Sequence, residues 1–333
     1  MEARMKLQIL VPQYNETEQE IKPLLDSIAI QIKVDFNEIG VIICNDGGGV
    51  VLRKEFLEQY PFKIDYIHQH HAGVSAARGN AFDHSTADYV MFCDADDMFY
   101  KVTGLWMVMR EIEKGFDTLL SLFYEEWKHP ETGEFYIVEH KADSVFVHGK
   151  VHRRQYLIDN NIRWNKDLLI HEDSYFNTLA ENLTDKVLYQ ANGFYLWRYR
   201  ENSICRHDPK YMLKTYINML DSNDALIDEF AKRGKDDKAN FYASLMIMEA
   251  YYTMNKPEWT NQENQQYRDQ TEKRFAEYFK KHEPQWIALN DKDRMTLSER
   301  LRARNVKEGM LIEKIGLNEW LEHIKTLPEK TGV

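Results

Sequence analysis

Cysteine is scarce in this chain of 333 residues, at three, and proline (8) and glycine (15) are thin as well. So few cysteines exclude a disulfide scaffold, and so little proline and glycine exclude collagen-like and low-complexity architectures. Cys44 and Cys93 each close an apolar run and read as reduced core residues of a cytosolic protein. Long apolar runs are missing too. The most apolar stretch, residues 241–254, is interrupted by Glu249 and is too short to cross a bilayer. The first six residues are charged, and the apolar run behind them, residues 7–11, is brief for a signal peptide. The expectation is a cytoplasmic protein, peripheral at the inner face of the membrane at most.

A basic surplus is also lacking. Lys and Arg number 43 against 54 Asp and Glu, a net charge of −11. Residues 1–204 hold 21 basic against 32 acidic residues, which gives −11, and residues 205–333 hold 22 of each, which gives 0. An acidic front half argues against the broad phosphate-binding surface of a DNA binder, so nucleic acid is not an expected partner. No Gly-x-Gly-x-x-Gly follows the first apolar run, and no Gly-x-x-x-x-Gly-Lys-Ser/Thr occurs. Those absences count against a dinucleotide-binding dehydrogenase and a P-loop enzyme.

What is present is alternation. Apolar runs at 7–11, 39–44, 64–67 and 89–93 read as buried strands, and amphipathic stretches at 21–32, 51–60 and 74–83 separate them as helices. That order implies an α/β domain with a mostly parallel sheet covered on both faces. Residues 105–114 read as a further helix, 118–124 as a strand, 131–134 as a turn and 135–138 as the returning strand. From Asp208 onward the pattern is helical, over 211–233, 238–254, 264–282 and 308–326. The expected boundary lies near 205, giving a catalytic domain over 1–205 and a helical region over 206–333.

In an open parallel sheet, ligands bind outside the carboxyl ends of the strands. Four polar clusters fall there: Pro12-Gln13-Tyr14-Asn15-Glu16, Asn45-Asp46-Gly47-Gly48-Gly49, His68-Gln69-His70-His71-Ala72-Gly73 and Asp94-Ala95-Asp96-Asp97. Three carboxylates within four residues repel one another unless a cation or basic groups offset them. Mg²⁺ or Mn²⁺ needs only one or two of them and takes its remaining ligands from phosphate and water. Asp46 precedes three glycines, and a carboxylate there can accept the ring N–H of a pyrimidine. Glu172-Asp173 opens a helical stretch over 174–183, where a helix N-terminus favours the ionised form. The spacing of His148 and His152 is that of one helix face, without the Glu of a metalloprotease helix.

The chain resembles the family 2 glycosyltransferases of the GT-A fold, with a Rossmann-like, mostly parallel sheet, from about residue 7 to 204. The pieces that carry the resemblance are Val11-Pro12-Gln13-Tyr14-Asn15, Asn45-Asp46-Gly47, Gly73-Val74-Ser75-Ala76-Ala77-Arg78, the run from Tyr89 through Asp97, Gly149-Lys150-Val151-His152-Arg153-Arg154 and His171-Glu172-Asp173. The resemblance implies an inverting, metal-dependent transfer of sugar from a nucleotide-diphospho-sugar to an acceptor hydroxyl. It sets Tyr14 and the backbone near Pro12 against the nucleobase, Asp46 on the base edge and Arg78 near base and diphosphate. Asp94 would contact the ribose, Asp96 the metal, and Asp173 would be the catalytic base. Arg198 or Arg200, in a segment that closes over the donor, would neutralise the departing diphosphate, and His207 would be a further metal ligand. His68, His70 and His71 would line the loop over the nucleobase.

The pattern departs from the family at Asn45, at Gly48-Gly49 and at Arg78-Gly79-Asn80, so uridine stands only as the family's most frequent base. The implied acceptor is a glycan or a cell-surface polymer of the teichoic-acid type. Arg294, Arg300, Arg302, Arg304 and Lys307 form a basic run in the tail. A solvated helix face, membrane contact, acceptor binding and a homo-oligomer interface are its open readings. A nucleotidyltransferase and a non-catalytic nucleotide- or carbohydrate-binding protein are the rival functions.

Overall fold

A computed structural model of the protein describes residues 4–201, 203, 206, 208–307 and 315–327. The chain divides into two compact units, Met1–Glu201 and Asn202–Val333.

The first unit is built on strand β1 (Leu7–Gln13), whose flanking strands are both parallel to it: β2 (Ile39–Asn45) on one side and β4 (Tyr89–Phe92) on the other. Strand β3 (Lys63–His68) extends the sheet beyond β2. Seven strands follow the order β10-β6-β9-β4-β1-β2-β3, with β6 (Thr118–Ser121), β9 (Lys150–Arg153) and β10 (Val187–Gln190) completing the far side. Strand β9 alone runs antiparallel to its neighbours. Strand order reverses between β1 and β4, which opens a crevice at their carboxyl ends.

Helices α1 (Glu18–Ala29), α2 (Lys54–Glu58), α3 (Val74–His84), α4 (Gly104–Lys114), α5 (Arg154–Asp159) and α6 (Glu172–Asn182) accompany this sheet. Helix α1 starts at a capping box in which Thr17 and Glu20 satisfy one another's backbone N–H groups. Its apolar stripe of Ile21, Leu24, Leu25 and Ile28 packs into one core with Leu7, Ile9 and Val11 of β1 and Ile39, Val41 and Ile43 of β2. Every residue of β2 is buried, as expected of a central parallel strand covered on both faces.

The stretch 118–124, expected as one strand, is two. Strand β6 ends at Ser121, and after Leu122 the chain enters β7 (Phe123–Lys128) in a separate sheet. That sheet has the order β5-β11-β7-β8, with β5 (Met98–Phe99), β11 (Tyr195–Trp197) and β8 (Phe135–His140). The seam is tight. A Cβ on Gly193 would meet the Leu122 side chain at 2.3 Å and the Leu122 carbonyl at 2.8 Å. The helical spacing of His148 and His152 has no helix behind it, since His152 lies on β9 and His148 in the approach to it.

Among the described residues the second unit is entirely helical: α7 (Tyr211–Lys232), α8 (Asp236–Met254), α9 (Pro257–Thr260), α10 (Gln265–Ala288), α11 (Asp291–Lys307) and α12 (Leu317–Lys325). Helix α10 runs past its expected end and through Pro284, and the basic run lies on α11, which has its own helical turn pattern. Arg294 of that run lies 4.5 Å from the Trp286 ring and donates to the Trp286 and Leu289 carbonyls, capping α10. Residues 308–314, expected to begin the last helix, and the sequence-proposed ligand His207 lie outside the described residues. No helix among the described residues is long and apolar enough to cross a membrane.

Ile9, on β1 between two parallel neighbours, is fully buried. Ile9→Ala is expected to cost about 2–5 kcal/mol, the sum of lost transfer energy and a residual cavity. A urea unfolding midpoint measures it.

Candidate functional site

The turns that follow β1, β2, β3 and β4 meet at the crevice, together with the start of α6 and the strand β11. Because β9 runs antiparallel, its beginning lies at the same edge, which places His148 there beside the acids that follow β4.

Arg78 of α3 organises this edge. Only 4% exposed, its guanidinium donates to Asp94 Oδ1 at 2.7 Å and to Glu172 Oε1 at 2.8 Å. The Trp164 ring covers its face at 4.7 Å and is itself stacked on Phe176 at 4.3 Å. Burial alone would weaken the charge on Arg78, but Asp94 and Glu172 outweigh it and hold the guanidinium firmly protonated. For Asp94, burial pushes the carboxyl up, and Arg78 and His148 more than reverse this, leaving it below its ordinary value.

The other acids of the cluster differ from one another. Asp97 is buried, accepting from the Tyr195 hydroxyl at 2.5 Å and the Arg198 backbone N–H at 3.0 Å. Burial and the adjoining Asp96 and Asp94 charges push its carboxyl well above the usual range. Asp96 instead pairs with Arg200 at 2.6 Å, and that guanidinium also reaches Glu20 at 3.0 Å. Arg198 donates its guanidinium to the Asp96 carbonyl at 3.2 Å. Both arginines of the proposed closing segment are thus anchored on the acid cluster.

One oxygen or nitrogen from each of Asp94, Asp97 and His148 lies within 4.8 Å of the others, a set able to hold a metal ion. The His148 Nε2 is 4.0 Å from Asp94 and 3.8 Å from Asp97. A divalent ion would relieve the crowding of carboxylates that raises Asp97. The expected ligand Asp96 does not share this set, because its carboxylate is directed at Arg200. Inspecting only the residues that follow strands misses His148, since an antiparallel strand brings its first residues to the binding edge.

Asp173 sits in the first turn of α6, where the N-terminus favours a negative charge, and its Oδ1 accepts the Ser174 backbone N–H at 2.8 Å. The expectation of an easily ionised acid is nevertheless reversed. Burial and the neighbouring Glu172 charge raise Asp173 to about 7, against the opposing pull of Arg78. His171, which precedes the helix, holds a left-handed backbone at φ 63°, a sparsely populated conformation of the kind found at working sites. Burial lowers the proton affinity of its ring.

On the β2 side, Asp46 is buried and accepts four bonds from the 69–73 loop. Gly47 has φ +75°, and a Cβ on Gly48 would fall 1.2 Å from the Tyr14 carbonyl oxygen. The close approach that Gly48 permits is therefore to the turn after β1, and that of Gly47 is to the loop after β3, where a Cβ would fall 2.6 Å from the His71 backbone nitrogen. Tyr14 itself is 45% exposed, its ring 4.6 Å from that of His71, and Pro12 lies in β1 beside Cys44.

Residues 8–141 match the family model for glycosyl transferase family 2. Glycosyltransferase GlyA of Streptococcus pneumoniae is 27% identical over 224 residues, covering 60% of this chain and 32% of that protein. The uncharacterized glycosyltransferase YibD of Escherichia coli is 25% identical over 221 residues, covering 57% of this chain and 62% of that protein. The chain thus matches less than two thirds of the length of either relative. The crystal structure of residues 1–349 of Staphylococcus aureus TarS has the same fold, with a TM-score of 0.61 at 16% identity over 93% of both chains. The same protein solved with UDP-GlcNAc superposes at a TM-score of 0.61 with 17% identity, again over 93% of both chains.

Replacing Arg78 with Met is expected to destabilise the protein by about 3–5 kcal/mol, because it leaves two inward-facing carboxylates without their partner. Arg78→Lys is expected to recover only part of this, since one ammonium does not span both acids as a planar fork does. Urea midpoints of the two variants give the comparison.

Proposed function

We propose, for a chain that belongs through residues 8–141 to the family 2 glycosyltransferases of the GT-A fold, that it moves a sugar from a nucleoside-diphospho-sugar to an acceptor hydroxyl with inversion at the anomeric carbon. The observation that carries this is the Arg78 bridge, which draws the acids after β4 and the start of α6 to one crevice. One side of that crevice would take the nucleotide, and the other holds a carboxyl with raised proton affinity.

Asp173 takes the role of base. A carboxyl at about 7 is half ionised near neutral pH, and a base is most effective when its pKa lies near the working pH. As the acceptor oxygen bonds to the anomeric carbon, the acceptor O–H proton passes to Asp173. The bond from that carbon to the diphosphate oxygen breaks, and the nucleoside diphosphate leaves with the electron pair. One direct displacement needs only one base, and its stereochemical consequence is inversion.

Asp94, Asp97 and His148 would hold a divalent ion, with Asp96 close by, and such an ion supplies Lewis-acid neutralisation of a leaving diphosphate. Arg198 and Arg200 are positioned by the same acids and add positive charge on that side. The likeness to TarS, whose crystal complex contains UDP-GlcNAc, supports a UDP-sugar donor. TarS is named as a poly(ribitol-phosphate) transferase, which supports a surface polymer as acceptor.

Transfer is expected to rise with pH through about 7 and then level off, as Asp173 loses its proton. Asp173→Asn is expected to lower transfer by about two to four orders of magnitude while leaving the Kd for UDP within about threefold. A radiolabelled-sugar transfer assay paired with calorimetry separates the two quantities, and wild-type transfer by this variant removes Asp173 from the mechanism.

Stability has the opposite pH sense. The folded protein keeps the Asp173 proton up to about 7, whereas the unfolded chain releases it near 3.8. The unfolded state therefore binds fewer protons between those values, and this site makes stability fall as pH rises from about 4 to 7. Asp173→Asn is expected to gain melting temperature relative to wild type across that window, as read by scanning calorimetry.

A further inference from the structure

The loop that closes α1 and the loop that opens α4 carry aliphatic side chains on the outside of the fold. Ile30 is 58% exposed, Ile32 46% and Val102 46%. Scattered exposed aliphatics are commonplace, but these share one tip. The Ile32 backbone N–H donates to the Val102 carbonyl at 2.9 Å. Gln31, buried between the two isoleucines, donates to the Lys101 carbonyl at 2.9 Å and accepts from the Leu105 backbone N–H at 2.9 Å. The two loops are therefore fastened together, and their apolar side chains face water from a fixed frame.

Cations surround this tip. Lys33 Nζ lies 4.8 Å from the ring of the half-buried Trp106, and the Arg110 guanidinium lies 5.2 Å from the same ring. Lys101 stands over Tyr124 at 5.3 Å. Among the described residues none of Lys33, Lys101 and Arg110 forms an ion pair with an acid. The acids nearest in sequence are engaged elsewhere: Asp26 with Lys22, Glu111 with Lys114, and Asp35 with the Asn37 backbone N–H. Unpaired cations around exposed aliphatics are unexpected in a chain whose net charge is −11.

We propose that this tip docks on an anionic phospholipid bilayer. Ile30, Ile32 and Val102 enter the boundary between headgroups and acyl chains, and Trp106 lies at headgroup level, where tryptophan is enriched. Lys33, Lys101 and Arg110 meet the lipid phosphates. A two-fold contact with a second copy would set these cations against one another, which makes a bilayer the better occupant. The basic stretch on α11 is less suited, since Arg294 caps α10 and Arg304 pairs with Glu249. Docking by this tip also sets orientation. Glu20, which bonds Arg200 at the candidate site, lies near the other end of α1, ~15 Å along the helix axis from Ile30.

Flotation of the whole chain tests this, with vesicles of phosphatidylglycerol and phosphatidylcholine in equal parts against vesicles of phosphatidylcholine alone. The wild type is expected to bind the anionic vesicles about a hundredfold more strongly at low salt, and to be released as salt rises. Replacing Lys33, Lys101 and Arg110 together with Gln is expected to remove that preference, since each cation near such a surface is worth about fivefold. Ile32→Ser combined with Val102→Ser keeps the cations and is expected to weaken binding about tenfold or more. Neither variant touches a buried side chain, and unchanged melting temperatures check that both fold. Should either melt early, the headgroup and salt dependence of the wild type decides. Neither nucleotide nor acceptor enters these measurements, so their failure leaves the glycosyl-transfer reading untouched. No flotation of the wild type with anionic vesicles, equal flotation with neutral ones, or undiminished flotation of the triple Gln variant overturns the assignment. Self-association in sedimentation velocity that Ile32→Ser with Val102→Ser abolishes gives the tip to a second copy and overturns it as well.

Discussion

A single buried guanidinium ties together the edge of the sheet where the candidate site lies. Arg78 projects from α3, and its two arms hold Asp94, beyond β4, and Glu172, at the first turn of α6. Those two elements are far apart in sequence, and they are joined by this charge and by the packing of Phe92 of β4 against Trp164 and against Phe176 of α6. The geometry is planar and doubly bonded, which is the reason an arginine is suited to it where a lysine is not. Asp173 inherits its place from the same bridge, being next in sequence to one of the two acids.

Close packing of acids around one cation also makes their chemistry unequal. Asp94 touches the guanidinium and stays ionised, whereas Asp97, which is buried, and Asp173, which is half-buried, hold their protons more tightly. Acids of similar appearance in sequence so become a fixed anion, a hydrogen-bonded carboxyl and a carboxyl with raised proton affinity. The helix N-terminus at Asp173 would favour the anion, and it loses to burial and to Glu172. Electrostatic roles at this edge are consequently properties of depth more than of motif.

That distinction marks how far the sequence is legible. The β/α alternation and the convergence of the polar clusters after β1 to β4 follow from local pattern, because strand ends must converge in a parallel sheet, whereas the roles of Tyr14, Arg78, Asp94, Asp96 and Asp173 come only from the resemblance. Burial does not follow from local pattern, and so neither the proton affinity of Asp173 nor the saturation of Asp46 could be read. Strand direction is equally hidden. The one antiparallel strand of the large sheet, β9, carries His148 to the site from a stretch whose i, i+4 histidines suggest a helix. Short strands such as β10 and β11, with four and three residues, leave too brief a period to register against the polar loops around them.

One residue, Leu122, joins the large sheet to the small one, and Gly193 presses against it too closely to admit a side chain. The two sheets are therefore spliced and not hinged, since a connection of one residue has no slack to absorb rotation. Lengthening the chain at that splice would shift the register of β6 against β9 or of β7 against β8. The turn at 129–134 is different: its residues are exposed and its backbone closes on itself through His129 and Glu134. In evolutionary terms the hairpin's tip is free to vary in length and content while its root is fixed. New surface can thus be added at that tip without disturbing the register of β7 and β8.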